Sequence, residues 1–286
     1  MEVLAIVLSG LLSVASSGGI IIDSVGANRI RSALIGIEKQ AVRIDNSPSY
    51  QIAKGKVQKA RIAARGVKIE PNLRIEALEL ETDPIDLKIS QLDINSLSKF
   101  RESLDRPFTG AVKLVLTEAN LNQALQSPEI LAQIQKTLNR FIVSRAGSSN
   151  IAYELQDLRL ELLPANRLGL KLKLSRPNTS FESDSDSISR ELVMALELGV
   201  EVNNGKEIRL VDPQGTVNGQ PMSSRLLNGF AEGISDRLDL DSLEPDGIIA
   251  RILQLEIDED RLNLASFLRV ETKVDQLSSR KIKPVP

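Results

Sequence analysis

The chain has 286 residues, and its 36 basic and 38 acidic side chains leave a formal net charge of −2. It contains no cysteine and no histidine, which excludes disulfides, thiolate or imidazole catalysis, and metal centres ligated by those residues. The slightly negative balance argues against general nucleic-acid binding. With 42% hydrophobic but only 3% aromatic residues, the composition predicts a soluble, globular, aliphatic protein that is not an enzyme and uses no cofactor.

Residues 3–22 form an uncharged stretch between Glu2 and Asp23. Twenty residues of helix span about 30 Å, which is roughly the thickness of the hydrocarbon layer of a bilayer. Three interpretations fit this stretch: a membrane anchor or uncleaved signal, a cleaved export signal, and an apolar helix buried in the protein's own core. The dense apolar character ends at Val14, small residues near 15–17 resemble a cleavage region, and Glu2 is not the basic start of an export signal.

The next part of the chain changes from a helical period to a strand period. Residues 24–37 carry apolar side chains, among them Ile30 and Leu34, at three- and four-residue spacing, which predicts an amphipathic helix. A short helix is predicted over 96–104 and a strand over 110–116. Between these helices, alternating polar and apolar residues predict half-buried strands in four segments: 42–45, 52–69, 73–82 and 85–94.

Two helix starts follow. Thr117 predicts the N-cap of a helix that runs through Leu125. Ser127-Pro128 predicts the start of a longer helix that ends at Gly147, because serine caps free amides and proline loses no hydrogen bond in the first helical turn.

A similar pattern occurs twice. Residues 117–124 and 258–265 each follow an apolar strand, and each contains a capping residue, Glu, Leu-Asn and Ala. Either a strand–cap–helix unit is duplicated, giving two related halves that meet near residue 147, or common capping chemistry coincides by chance.

The second half of the chain is dominated by strands in which leucine occupies alternate positions. The predicted elements are strands at 158–162, 168–174, 192–202, 206–211 and 248–257, a polar loop at 178–187, a hairpin turn at 203–205 and a helix at 221–238. Strands do not alternate one-for-one with helices, so we predict an α+β fold with helices packed against one long, curved antiparallel sheet. Residues 1–22 form the apolar segment, 23–273 a single domain and 274–286 a frayed tail.

Residues 52–68 contain six basic residues and no acidic one. The polar phase shifts between Gln58 and Lys59, which predicts a β-bulge there. Two interpretations remain open: a cationic strip that meets anionic lipid head groups, and an ordinary solvent face or a lysine-protected edge strand. No aromatic residues lie between these basic residues, which argues against nucleic-acid binding. The strip that could meet head groups comprises Lys54, Lys56, Lys59, Arg61 and Arg65.

The remaining candidates are acidic clusters and aliphatic surface. The acidic cluster at 239–246 lacks the spacing of a calcium-binding loop, which favours turn and cap carboxylates over a metal site. The long leucine-rich faces have two interpretations: an apolar groove for acyl chains, or a plainly packed core.

Three segments carry a family resemblance: VRIDNSPSYQIAKGKVQKARIAARGVKIEPNLRIEALELETDPIDL (42–87), AVKLVLTEANLNQALQSP (111–128) and VNGQPMSSRLLNGFAEGI (217–234). They resemble a cyanobacterial branch of the LmeA-like phospholipid-binding family, and none is a catalytic signature. The resemblance implies a tubular-lipid-binding-like fold, in which a strongly curved sheet wraps a long helix around an apolar cavity. It also implies phospholipid binding and association with membranes or the cell envelope.

We therefore expect a non-enzymatic lipid-binding protein associated with membranes, on the periplasmic or thylakoid side if it is exported. Its expected partners are phospholipid or another acyl lipid and a membrane surface, without nucleic acid. The alternative is a structural or scaffold module of the cell envelope with a solid core. The side chains expected to contact lipid are Ile30, Leu34, Leu196, Leu198, Leu226, Phe230 and Ile234.

Overall fold

The computed structural model describes residues 36–91, 97–128, 130–132, 134–136, 153–176 and 191–273. The chain in these ranges is mostly antiparallel sheet with a few helices, which confirms the predicted α+β class. The predicted apolar segment, most of the helix at 24–37, the loop at 178–187 and the tail all lie outside the described residues.

The strands in chain order are β1 (Gly36–Asp45), β2 (Lys56–Val57), β3 (Lys59–Glu70), β4 (Leu73–Thr82), β5 (Ile85–Asp86), β6 (Phe108–Thr117), β7 (Glu154–Leu163), β8 (Arg167–Ser175), β9 (Glu191–Asn203), β10 (Glu207–Val217), β11 (Gln220–Pro221), β12 (Ile248–Ile257) and β13 (Arg261–Val270). Three α-helices are fully delimited: α1 (Leu97–Ser103), α2 (Glu118–Leu125) and α3 (Ser224–Ser235). Further helical residues lie between 128 and 136, where the Ser127 hydroxyl accepts from the Ile130 amide as the sequence predicts. Short 3-10 turns cover Ser49–Lys54, Ile89–Gln91 and Leu240–Asp246.

The strands form two large sheets and one small one, and all neighbours in them are antiparallel. The six-stranded sheet has the order β1-β3-β4-β6-β13-β12, and the five-stranded sheet has the order β11-β10-β9-β8-β7. Strands β2 and β5 pair separately. The prediction of one long sheet is therefore wrong: there are two large sheets.

Helix α2 contacts both large sheets and covers an edge of the five-stranded one. It begins directly after β6 with a capping box, in which Thr117 and Asn120 bond to each other's backbone amides. Its Asn122 side chain then bonds to both the amide and the carbonyl of Leu160 on β7, at 2.8 and 2.7 Å. These bonds occupy edge positions where another strand could pair. Strand β6 instead pairs with β13, which comes much later in the chain.

The inner face of the six-stranded sheet packs into the larger of the hydrophobic cores. Phe108 at the start of β6 is completely buried, and its ring meets Phe100 of α1 edge-on at 6.3 Å. The Arg101 guanidinium, also buried, donates to the carbonyls of Glu271, Asp246 and Thr272. Helix α1 is thereby fixed to the end of β13 and to the 3-10 turn before β12.

The five-stranded sheet confirms the leucine alternation most clearly. Strand β9 is 13 residues long, and Leu196 and Leu198 on its inner face are 4% and 1% exposed. The predicted hairpin turn is present, since Asn204 and Gly205 both have positive φ angles, at 52° and 68°.

Several predicted elements differ from the structure. The strand predicted at 52–69 begins only at Lys56, since Ser49–Lys54 form a 3-10 turn. Gly36 and Ile37 lie in β1 rather than at the end of a helix. The helix predicted at 221–238 spans only Ser224–Ser235. It starts late because Pro221, in β11, pairs with Thr216 of β10. Most of 85–94 is not a strand, since β5 has two residues and a 3-10 turn follows.

The similar patterns at 117–124 and 258–265 adopt different conformations. The first is helix α2 with its cap, but residues 261–265 lie in β13 and bond to β6 and β12. Tertiary hydrogen bonding therefore overrides the capping-like sequence after Asp258. The second pattern is not a strand–cap–helix unit.

Candidate functional site

The leucine face of the five-stranded sheet is the apolar surface that the sequence singles out. Leu196 and Leu198 of β9 share a buried cluster with Leu227 and Ala231 of α3. Helix α3 is tied down on β10 because the Ser235 hydroxyl accepts from the Leu210 amide at 2.9 Å and donates to the Ala231 carbonyl at 2.8 Å. Helix α3 therefore packs on the sheet through apolar side chains and is also held there by the hydrogen bond of Ser235 to β10.

The predicted lipid-contact residues fall into three groups. Leu196, Leu198 and Phe230 come together in or against the buried cluster. Leu226 and Ile234 are half-buried on α3, outside that cluster. Ile30 and Leu34 lie outside the described residues, so their role stays a prediction.

A rim of half-buried side chains surrounds the same cluster. Only Phe230 of this rim was named as a lipid contact, although Leu192, Met194 and Met222 lie on the predicted strand at 192–202 and the predicted helix at 221–238. The members that pack against the cluster are Leu125, Ile134, Leu155, Leu170, Leu192, Met194, Leu210 and Met222. The alternation on β8 and β9 was a usable signal for Leu170, Leu192 and Met194, since they share the phase of buried neighbours. Nothing in the local pattern indicated that Leu125 of α2 meets the same cluster.

The basic strip is divided by the fold. Lys54 ends the 3-10 turn before β2 and Lys56 lies in β2 of the small sheet, whereas Lys59, Arg61 and Arg65 lie on the outer face of β3. The predicted change in the phase of polar residues between Gln58 and Lys59 is confirmed, but it does not arise from a β-bulge. The chain there leaves the two-stranded sheet and enters the six-stranded one.

Acidic neighbours neutralise part of the strip on β3. Lys59 Nζ lies 2.5 Å from one oxygen of Glu81, and Arg61 Nε lies 2.7 Å from the other. These two hydrogen bonds lower the pKa of Glu81 to about 2. Arg61 also bonds to Asp45 at 2.9 Å. Arg65 is exposed and has no carboxylate partner among the described residues.

A polar cleft of about 520 Å³ lies where α2 meets the edge of β7. Its lining includes Glu118, Asn122 and Gln126, one helical turn apart, and the three side chains bond to the β7 backbone at Leu162, Leu160 and Leu158. The polar groups of α2 are thus used to cover a strand edge. We assign this cleft a structural role.

A trough of about 440 Å³ crosses the outer face of the six-stranded sheet. Small side chains line part of it, including Ala41, Ala63 and Ala265, and charges of both signs stand around them. The exposed Leu253 of β12 also lines it. The trough therefore offers mixed chemistry rather than a surface of one charge.

The acidic cluster at 239–246 has turn and ion-pair roles. Asp239 caps the 3-10 turn by accepting from the Asp241 amide at 2.8 Å. Asp241 and Glu244 both lie near Lys206. In the part of the chain that the structure describes, no group of three or more acidic side chains is placed to hold a metal ion. No helix in the described ranges is both long and apolar enough to cross a bilayer.

Two open antiparallel sheets, with helices on them and an aliphatic inner face, define an α+β protein. A family model for LmeA-like phospholipid-binding proteins matches residues 17–267. The chain therefore belongs to the LmeA-like phospholipid-binding family, as its sequence segments indicated. No curated protein matches the chain.

Proposed function

We propose that the protein is a non-enzymatic phospholipid-binding protein that works in association with membranes. The observation that carries the proposal is the family match over residues 17–267. The leucine-lined face of the five-stranded sheet supports it, because aliphatic side chains suit hydrocarbon tails, which need no polar or stacking partner. The proposal includes a tubular-lipid-binding-like arrangement and a cell-envelope location.

The acyl chains would lie along the half-buried rim where α3 meets the inner face of β8 and β9. Phe230 and Met222 on one side, and Leu170 and Met194 on the other, pack against the buried cluster while keeping part of their surface accessible. Half-buried apolar groups gain further burial when a hydrocarbon chain covers them, at about 25 cal/mol per Å². The exposed cations on and beside β3, Lys54 and Arg65 among them, would face the head groups.

Mass spectrometry of lipids extracted from the purified full-length protein tests the proposal. We expect phospholipid to copurify with the wild-type protein. Met194→Trp should fill the acyl site and remove most of that lipid, at a cost in stability of about 1–3 kcal/mol for overpacking. The matched control is Leu114→Trp, because Leu114 is equally half-buried but packs against the core of the six-stranded sheet. This control should retain its lipid.

One observation favours a second candidate, a scaffold module of the cell envelope with a solid core. Leu196 and Leu198 are almost fully buried against Leu227 and Ala231, as they would be in a closed core. If no lipid copurifies, and added phospholipid vesicles leave the melting temperature unchanged, the scaffold function replaces lipid binding.

A further inference from the structure

Two 3-10 turns lie side by side at the two-stranded sheet. Gly55 ends the turn Ser49–Lys54 with a φ of +80°, and a Cβ atom there would lie 2.0 Å from the Leu87 carbonyl oxygen and 3.1 Å from Ile89 Cγ1. The Leu87 amide donates to the Gly55 carbonyl at 2.9 Å. Such a close approach needs glycine. It brings the turn Ile89–Gln91 against the first turn, and we call the two turns together the docking tip.

The docking tip carries two large apolar side chains that are exposed. Among the described residues only five large hydrophobic side chains are exposed, and two of them are in the docking tip: Tyr50 at 63% and Ile89 at 48%. The other three lie on separate elements: Val193 on β9, Leu238 after α3 and Leu253 on β12. Exposed apolar groups that are grouped rather than scattered mark an interaction surface.

Three lysines lie on or next to the two turns. Lys54 Nζ lies 5.5 Å from the centre of the Tyr50 ring, and Lys54 has no carboxylate partner in the described ranges, so its charge is left over. Lys56 and Lys88 are 56% and 45% exposed and pair with Asp86 and Asp105 at 3.4 and 3.3 Å. Neither turn contains an acidic residue, although the whole chain is slightly acidic. The local positive charge is complementary to an anionic surface.

We propose that the docking tip is the part of the protein that contacts an anionic phospholipid bilayer, with Tyr50 and Ile89 in the interfacial layer and the three lysines among the head groups. Tyrosine is suited to this layer because one end of its ring is apolar and the other polar. Each lysine near the surface strengthens binding about fivefold. The inference rests on the proposed function and adds the place where the protein meets its membrane.

Single-tryptophan reporters provide the direct test, since the chain has no tryptophan of its own. Full-length Tyr50→Trp and Leu253→Trp are mixed with vesicles of phosphatidylcholine and phosphatidylglycerol whose acyl chains carry bromine, a quencher of tryptophan fluorescence. Leu253 is the matched control because it is 65% exposed, like Tyr50, but lies at the β12 edge of the six-stranded sheet. We expect quenching and a blue shift for Tyr50→Trp only. Quenching of Leu253→Trp alone, or of neither variant, overturns the proposal.

Vesicle sedimentation tests the apolar and the electrostatic contributions to membrane binding separately. The double variant Tyr50→Ser, Ile89→Ser should lose most binding, whereas Leu253→Ser should keep it. Lys56→Glu should weaken binding at least fivefold in low salt. Its control is Lys171→Glu, since Lys171 is 58% exposed and also pairs with a carboxylate. Equal effects of the two charge reversals contradict a specific docking tip.

The two proposals fail in different ways. If phospholipid copurifies but the docking-tip variants sediment with vesicles like the wild type, the proposed function stands and the docking tip is wrong. If no lipid copurifies but the docking-tip variants lose vesicle binding, the docking tip stands and the proposed acyl site is wrong.

Discussion

The inner faces of the two large sheets are both apolar, but they are built from different residues. The six-stranded sheet buries residues of mixed size, from Ala60 to Phe108, and α1 closes it with an aromatic contact. The five-stranded sheet buries mainly leucines, and its half-buried neighbours include Met194 and Met222, whereas the half-buried neighbours of the six-stranded core are all leucine or isoleucine. Mixed sizes fill space well, whereas a rim of flexible, half-buried side chains leaves surface that can gain from a ligand. We therefore propose that the first sheet contributes most of the stability and that the second carries the lipid site.

The largest expected effect tests that division directly. Phe108→Ala, in the six-stranded core, should lower the free energy of unfolding by about 3–5 kcal/mol, because it leaves a cavity where a fully buried ring stood. Phe230→Ala, on the half-buried rim, should cost only about 1 kcal/mol but should reduce copurified lipid. Denaturant titration and lipid extraction measure the two quantities. Equal losses of stability would contradict the comparison.

The next effect concerns what holds the six-stranded core closed. Arg101→Met should cost about 2–4 kcal/mol, since the buried guanidinium bonds to three carbonyl groups that would lose their donor. Arg43→Met is the control: that side chain is 73% exposed, and the change should stay within about 0.5 kcal/mol. Chemical denaturation at neutral pH checks both values, and similar costs for the two variants would reject the role given to Arg101.

A smaller effect tests the edge of the five-stranded sheet. Asn122→Ala should cost about 1–3 kcal/mol, because it removes both hydrogen bonds to Leu160. It should also promote self-association through the uncovered β7 edge, seen by sedimentation velocity. Gln123→Ala changes the adjacent exposed residue of α2 and should do neither. A monomeric Asn122→Ala variant would show that the Asn122 side chain is not needed to protect this edge.

The smallest effect concerns the outer face of the six-stranded sheet. An NMR titration should show Glu81 with a pKa of about 2, against its ordinary 4.5, and Lys59→Met should raise that pKa toward 4.5. A carboxylate with a lowered pKa stabilises the fold fully above about pH 4.5, and this contribution is lost as the pH falls toward 2. Lys113→Met removes a charge on β6 without removing a bond to Glu81, and should leave the titration nearly unchanged. A wild-type pKa near 4.5 would contradict the ion-pair geometry.

Local patterns predicted much of the fold. Alternation identified β8, β9 and β12 nearly to the residue, and capping chemistry fixed the start of α2 at Thr117. Both signals arise between residues close in sequence, where side-chain period and cap geometry determine the structure. The same reasoning failed at Pro221, whose strand pairing depends on the preceding turn, and at 261–265, where two neighbouring strands decide the conformation.

The candidate site was predicted less completely. Leu196, Leu198 and Phe230 do meet, because alternation and helical period set their faces. The strip from Lys54 to Arg65 was predicted as basic, but its neutralisation by Glu81 and Asp45 depends on cross-strand register. Tyr50 and Ile89 gave no periodic signal, since each lies in a short turn.

The α+β class, the helical and strand periods, the aliphatic composition and the family follow from the sequence, because they depend on the kind and spacing of neighbouring residues. The division of the strands into two sheets, the cover that α2 gives to the edge of β7, and the pairing of Glu81 with the cations of β3 are seen only in the folded chain. Those outcomes depend on which distant strands become neighbours and in what register. Edge hydrogen bonds and cross-strand contacts set that choice, and spacing along the chain does not encode it.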